Sequence, residues 1–158
     1  MTPAPAPTLI VGVGNILMGD DGAGVRAVEL IVRRGLPPGV EALDAGTDGI
    51  GLVDAISGRR TVVAIDALAG QDEPGTIRRL SPEDLEGQDR GEMSLHDFGL
   101  IQAWRMAHAL ACAPERLVII GIQVGRIELG LELTPEVVRA LPRAADMALH
   151  EALDGAPR

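Results

Sequence analysis

Two hydrophobic periods alternate along the chain, and their order predicts its architecture. Thr8–Val13 (TLIVGV), Thr61–Ile65 (TVVAI) and Leu117–Ile122 (LVIIGI) are short, nearly continuous apolar runs rich in β-branched residues, as expected of strands covered on both faces. Between them the spacing lengthens. In Gly22–Gly35, Val25, Val28 and Val32 recur at helical intervals, and Gly35 with Pro37 ends the segment. Ile50–Ile56 and Pro135–Leu153 read as further helices and Val40–Leu43 as a second strand. Gly75–Leu80 (GTIRRL) fits an edge strand whose arginines tolerate solvent on one face. Ser81–Met93 is charged and loop-like. Ser94 and Asp97 then form an S-x-x-D capping pattern ahead of Leu100, Ile101 and Trp104, which predicts a helix.

Strands alternating with helices imply an α/β fold: a three-layer αβα arrangement with a single open, twisted, mostly parallel sheet and helices on both faces. No internal repeat or domain boundary is visible, so residues 1–158 are expected to form one domain, with the Pro/Ala-rich residues 1–7 as a flexible arm. In sheets of this kind ligands gather beyond the carboxyl ends of the strands.

Composition narrows the function. The chain is 46% hydrophobic but 1% aromatic, without tyrosine, so Leu, Val, Ile and Ala must fill the core. A formal net charge of −9 argues against nucleic acid and anionic membrane as partners, and favours a basic peptide segment or a metal cation. Cys112 is the only cysteine, which excludes an internal disulfide and a thiolate-rich metal site. Met1–Pro7 lacks a charged n-region and does not read as a signal peptide. The longest apolar runs, Leu9–Val13 and Leu117–Val124, are too short to span a bilayer. A cytoplasmic location is expected.

Three ligand-type residues converge on one edge of the expected sheet. Asp21 follows the first strand through a glycine loop, Asp66 closes the third strand, and His96 lies in the first turn of the helix after Ser94. Two carboxylates and one imidazole make an incomplete coordination set, suited to weak, exchangeable binding of a metal brought by a partner. Each has a plainer reading when taken singly. Asp20 or Asp21 can cap the following helix, Asp66 can satisfy loop amides, and His96 can be an ordinary first-turn residue. His108, His150 and Cys112 read as packing or surface residues.

Gly12-Val13-Gly14-Asn15 invites a dinucleotide-binding reading, but Leu17 stands where the third glycine of that fingerprint belongs, and Asp20 and Asp21 would repel a pyrophosphate. The glycines suit close backbone approach instead. Gly14 and Asn15 in the first loop, with Gly46 and Thr47 in the second (DAGTDG), are candidates for holding an extended peptide. No H-E-x-x-H helix or Ser-His-Asp arrangement is evident.

The segment Gly12–Val25 (GVGNILMGDDGAGV) resembles the opening signature of the hydrogenase maturation endopeptidases. Asp44-Ala45-Gly46-Thr47, Val63–Ala67 (VAIDA), Glu73-Pro74-Gly75-Thr76, Met93-Ser94-Leu95-His96 and Val118–Gln123 (VIIGIQ) continue in that family's order. The resemblance covers nearly the whole chain. It implies a three-layer α/β fold and removal of a C-terminal extension from a nickel–iron hydrogenase large-subunit precursor. Nickel, carried by that precursor, would be the recognition element. The family's metal-binding positions fall on Asp21, Asp66 and His96, which would also serve in catalysis. Some relatives carry glutamate at the position of Asp21, so Asp20 is an alternative ligand. Many have proline soon after the Gly-Ile-Gln block, where this chain has Val124. The rival readings are a nickel-binding maturation chaperone without peptidase activity and a metal-dependent hydrolase of small molecules.

Overall fold

The computed structural model describes residues 4–86 and 97–154. Its elements are β1 (Thr8–Val13), α1 (Ala23–Arg34), β2 (Val40–Gly46), α2 (Gly49–Ile56), β3 (Thr61–Leu68), β4 (Ile77–Leu80), α3 (Pro82–Glu86), α4 (Asp97–Ala109), β5 (Arg116–Gln123) and α5 (Pro135–Asp154). A four-residue 3-10 turn, Gly19–Gly22, leads into α1. The five strands lie in the order β2-β1-β3-β5-β4. All neighbours are parallel except β4, which runs antiparallel to β5 at the edge. This is the expected open, mostly parallel α/β sheet.

Period-2 alternation divides the strand side chains between two cores. Ile10, Val63, Ile65, Val118, Ile120 and Ile122 pack with α1 and α5 on one face. Leu9, Val11, Val62, Ala64, Leu117 and Ile119 pack with α2 and α4 on the other. Helix α1 can settle so closely on the sheet because of Gly24: a Cβ there would run into the Ile65 carbonyl and stand 2.7 Å from the Val13 carbonyl.

Four local expectations are refined. In α1, Val25 and Val28 are buried as the spacing implies, but Ile31 takes the next core position and Val32 is 51% exposed. Strand β2 runs on to Gly46, and β3 to Leu68. The charged stretch after Ser81 is not wholly loop. Ser81 and Asp84 cap each other, with Asp84 Oδ2 accepting the Ser81 N–H at 2.7 Å, and this starts α3. Ser94, the expected cap of α4, lies outside the described residues.

Candidate functional site

The site begins where β1 stops. Its pairing with β3 ends at Gly12 opposite Ile65, whereas β3 continues against β5 through Asp66–Gly121, Ala67–Ile122 and Leu68–Gln123. Asp66 is therefore inside β3 rather than after it, because β5 goes on supplying a partner once β1 has ended. It is the first β3 residue beyond the reach of β1. Since β2 and β3 flank β1 on opposite sides, this is also the switch point of the sheet, where open α/β folds form their ligand crevice. Alternation puts Asp66 on the α2/α4 side, in phase with Val62 and Ala64. It is fully buried, and its Oδ1 accepts the Ala67 N–H at 2.8 Å.

Asp21 reaches the same region on the 3-10 turn, which packs against β3. It is buried, and its Oδ2 accepts the Asn15 N–H at 3.1 Å. Gly14 makes this approach possible. Its φ is +134°, and a Cβ would collide with the Asp21 carbonyl. The loop and the turn can lie in contact only with glycine at that position.

Both carboxylates are thus oriented by a backbone N–H, an arrangement that suits a cation ligand. His96 lies outside the described residues. Helix α4, which starts one residue later, packs on the face to which Asp66 belongs. Among the described residues no group of three His, Cys, Asp or Glu side chains stands close enough to hold a metal by itself.

The two glycine loops are bonded to each other, the Gly14 N–H donating to the Gly46 carbonyl at 2.9 Å. Asp44 Oδ1 accepts the Gly46 N–H at 2.8 Å, and Asp48 caps α2 by accepting the Gly51 N–H at 2.9 Å. Along the second loop, facing α2 and α4, runs an open groove lined by Val13, Ala45, Gly46, Thr47, Leu52 and Gly99. Gly46 and Thr47 therefore lie along this groove. Gly14 and Asn15 are engaged with Asp21 instead.

Sequence reasoning left the roles of Asp20 and Asp21 undivided, and the structure divides them. The Asp20 carboxylate turns away from Asn15 and into the β5–α5 connection. It accepts the N–H groups of Gly125 at 2.7 Å, Arg126 at 2.9 Å and Thr134 at 2.7 Å, and the Thr134 hydroxyl at 2.8 Å. The backbone adds Asp20 N–H to the Arg126 carbonyl, Gly19 N–H to Gly130, and Gly130 N–H to Leu17. The Asp20 carboxylate is committed to this loop. Thr134 before Pro135 reads as a helix cap in the sequence, but no pattern ties it to a residue 114 positions earlier.

The remaining candidates are peripheral. His108 packs edge-to-face on Trp104 with ring centroids 4.4 Å apart, and His150 is an exposed partner of Asp154. Cys112 is half-buried, 3.2 Å from the Ser57 hydroxyl.

Comparison with known proteins agrees with this architecture. A family model described as hydrogenase maturation protease matches residues 25–151. The hydrogenase expression/formation protein HupD of Thiocapsa roseopersicina is 35% identical over 145 residues, a match covering 90% of this chain and 66% of that protein. The hydrogenase 2 maturation protease of Escherichia coli is 32% identical over 143 residues, 89% of this chain and 87% of its own length. Among solved structures, the hydrogenase maturating endopeptidase HybD from E. coli superposes with a TM-score of 0.86 at 30% identity, covering 94% of this chain and 93% of that one. A nickel–iron hydrogenase maturation protease from Thermococcus kodakarensis gives 0.78 at 32% identity, covering 92% and 98%.

Proposed function

The chain belongs to the hydrogenase maturation protease family, and on that premise we propose that it is an endopeptidase that removes the C-terminal extension of a nickel-loaded hydrogenase large-subunit precursor. Nickel arrives with the substrate and is the feature recognised. Asp21, Asp66 and His96 complete its coordination and so hold the precursor tail at the sheet edge, where the groove beside Gly46 and Thr47 receives extended chain. The reaction is peptide hydrolysis. Water adds to the scissile carbonyl, which the nickel can polarise, and a carboxylate accepts the water's proton and passes it to the departing amine as the C–N bond breaks. We place the reaction in the cytoplasm, in keeping with a chain that carries one cysteine; among the described residues no helix is long and apolar enough to cross a membrane.

The observation that carries this reading is a pair of buried carboxylates, Asp21 and Asp66, each held by a backbone N–H at the switch point of the sheet. A divalent ion entering the crevice would be drawn to two acidic side chains held close to the sheet edge. Processing of purified precursor, followed by mass spectrometry with and without nickel, tests the proposal. Cleavage is expected only of the nickel-loaded form. Equal cleavage of metal-free precursor would overturn the recognition role. Tight binding of free nickel with no change in precursor length would identify a chaperone instead.

A further inference from the structure

We propose that Asp20 is a positioning residue for the proteolytic site: by clamping the turn that carries both aspartates to the β5–α5 loop, it fixes where Asp21 points. The inference rests on the proposed role of Asp21 and adds a device that sets its direction.

The argument starts from helical geometry. With about three residues per turn, neighbouring side chains in a 3-10 segment diverge by roughly a third of a revolution. Asp20 and Asp21 are adjacent on such a segment, so the direction of one dictates that of the other. Asp21 accepts the Asn15 N–H at 3.1 Å. Asp20 is fully buried and accepts four hydrogen bonds of 2.7–2.9 Å. Its donors flank a loop whose two ends are core elements: Gly125 and Arg126 follow β5, and Thr134 precedes α5. The reference frame of the clamp is therefore the sheet itself. Backbone bonds from Gly19 to Gly130, from Asp20 to Arg126 and from Gly130 to Leu17 close the attachment on both sides of the carboxylate. The space is close-fitting, since a Cβ on Gly125 would stand 3.3 Å from Asp20 Oδ2.

All four donors are neutral. No cationic side chain takes part in these four hydrogen bonds. Asparagine matches aspartate in size, but its amide nitrogen must then face an N–H donor, because three donors converge on Oδ2 and one on Oδ1. Asp20→Asn should therefore loosen the clamp with little change in volume.

The test combines nickel(II) binding to the purified chain by calorimetry with precursor processing, for the wild type and for Asp20→Asn, Thr134→Val, Asp21→Asn and Glu151→Gln. Circular dichroism sets the folded fraction. Per folded molecule, Asp20→Asn is expected to lose about 10–100-fold in nickel affinity and in kcat/KM, the range typical of residues that orient a ligand. Thr134→Val, which keeps the carboxylate but removes one donor, is expected to lose severalfold in both. Glu151→Gln controls for destabilisation remote from the site and should change neither. If Asp20→Asn lowers only the melting temperature and equals wild type per folded molecule, the positioning role is overturned. Should Asp20→Asn fail to fold, wild-type values for Thr134→Val would overturn it equally. If Asp21→Asn processes normally, it is the role of Asp21 that fails, a result distinct from failure of the clamp.

Discussion

Strand β5 is bracketed by two buried carboxylates that are satisfied in opposite ways. At its amino end Glu151 of α5 meets two guanidinium groups, those of Arg79 and Arg116, and Arg116 also donates to the Glu151 carbonyl at 2.9 Å. Beyond its carboxyl end Asp20 meets three backbone N–H groups and one hydroxyl. The first arrangement pairs the carboxylate with cationic groups; the second uses neutral donors alone. Under the proposed function, the contrast separates an end of the sheet that stabilises the fold from an end that meets the substrate.

The sharpest way to break this comparison is to neutralise the recognition end. Asp21→Asn and Asp66→Asn are each expected to lower precursor processing by about 10²–10⁴-fold, the scale of losing a ligand or proton acceptor. Their melting temperatures should change little beside that loss. Processing rates paired with thermal melts check this, and unchanged processing in both variants would remove the functional half of the contrast.

The stability end should respond in the reverse sense. Glu151→Gln leaves two arginines without their anion. Because the Arg79 and Arg116 side chains are 51% and 33% exposed, the expected loss is moderate, about 1–3 kcal/mol by urea denaturation. Processing per folded molecule should stay at the wild-type level.

The smallest effect is one of pH. The hydrogen bond from Arg79 is the main reason the Glu151 carboxyl sits below its ordinary value of 4.5; burial opposes this, and the charges of Arg79 and Arg116 assist it. A carboxyl whose folded value is lowered contributes stability above its unfolded value and loses it as pH falls through the folded one. Melting temperature should therefore decline as pH drops below about 4.5, less steeply in Glu151→Gln than in wild type. Parallel slopes in the two proteins would show that the pair is not the acid-labile element.

Much of the fold was legible because periodicity is a local property. The apolar runs at Thr8, Thr61 and Leu117 are strands, the arginines of Arg78 and Arg79 do mark an edge strand, and Gly35 does end α1. The candidate carboxylates were legible too, since Asp21 and Asp66 stand where a strand–loop–helix pattern puts them near a sheet edge. The exact phase of α1 was less so. Whether Ile31 or Val32 enters the core depends on how α1 lies on β1 and β3, which Gly24 governs through contacts with Ile65 and Val13.

What the sequence determined by itself was the class of fold, the helix and strand segments, and the placing of Asp21 and Asp66 near one end of the sheet. Only the tertiary structure decided that Asp66 lies within β3, that Gly14 and Asn15 serve Asp21 while Gly46 and Thr47 line the groove, and that Asp20 belongs to the β5–α5 loop. The reason is physical. Helix and strand propensities act over a few residues, whereas a buried carboxylate must find its donors wherever folding brings them. Here those donors lie more than a hundred residues away.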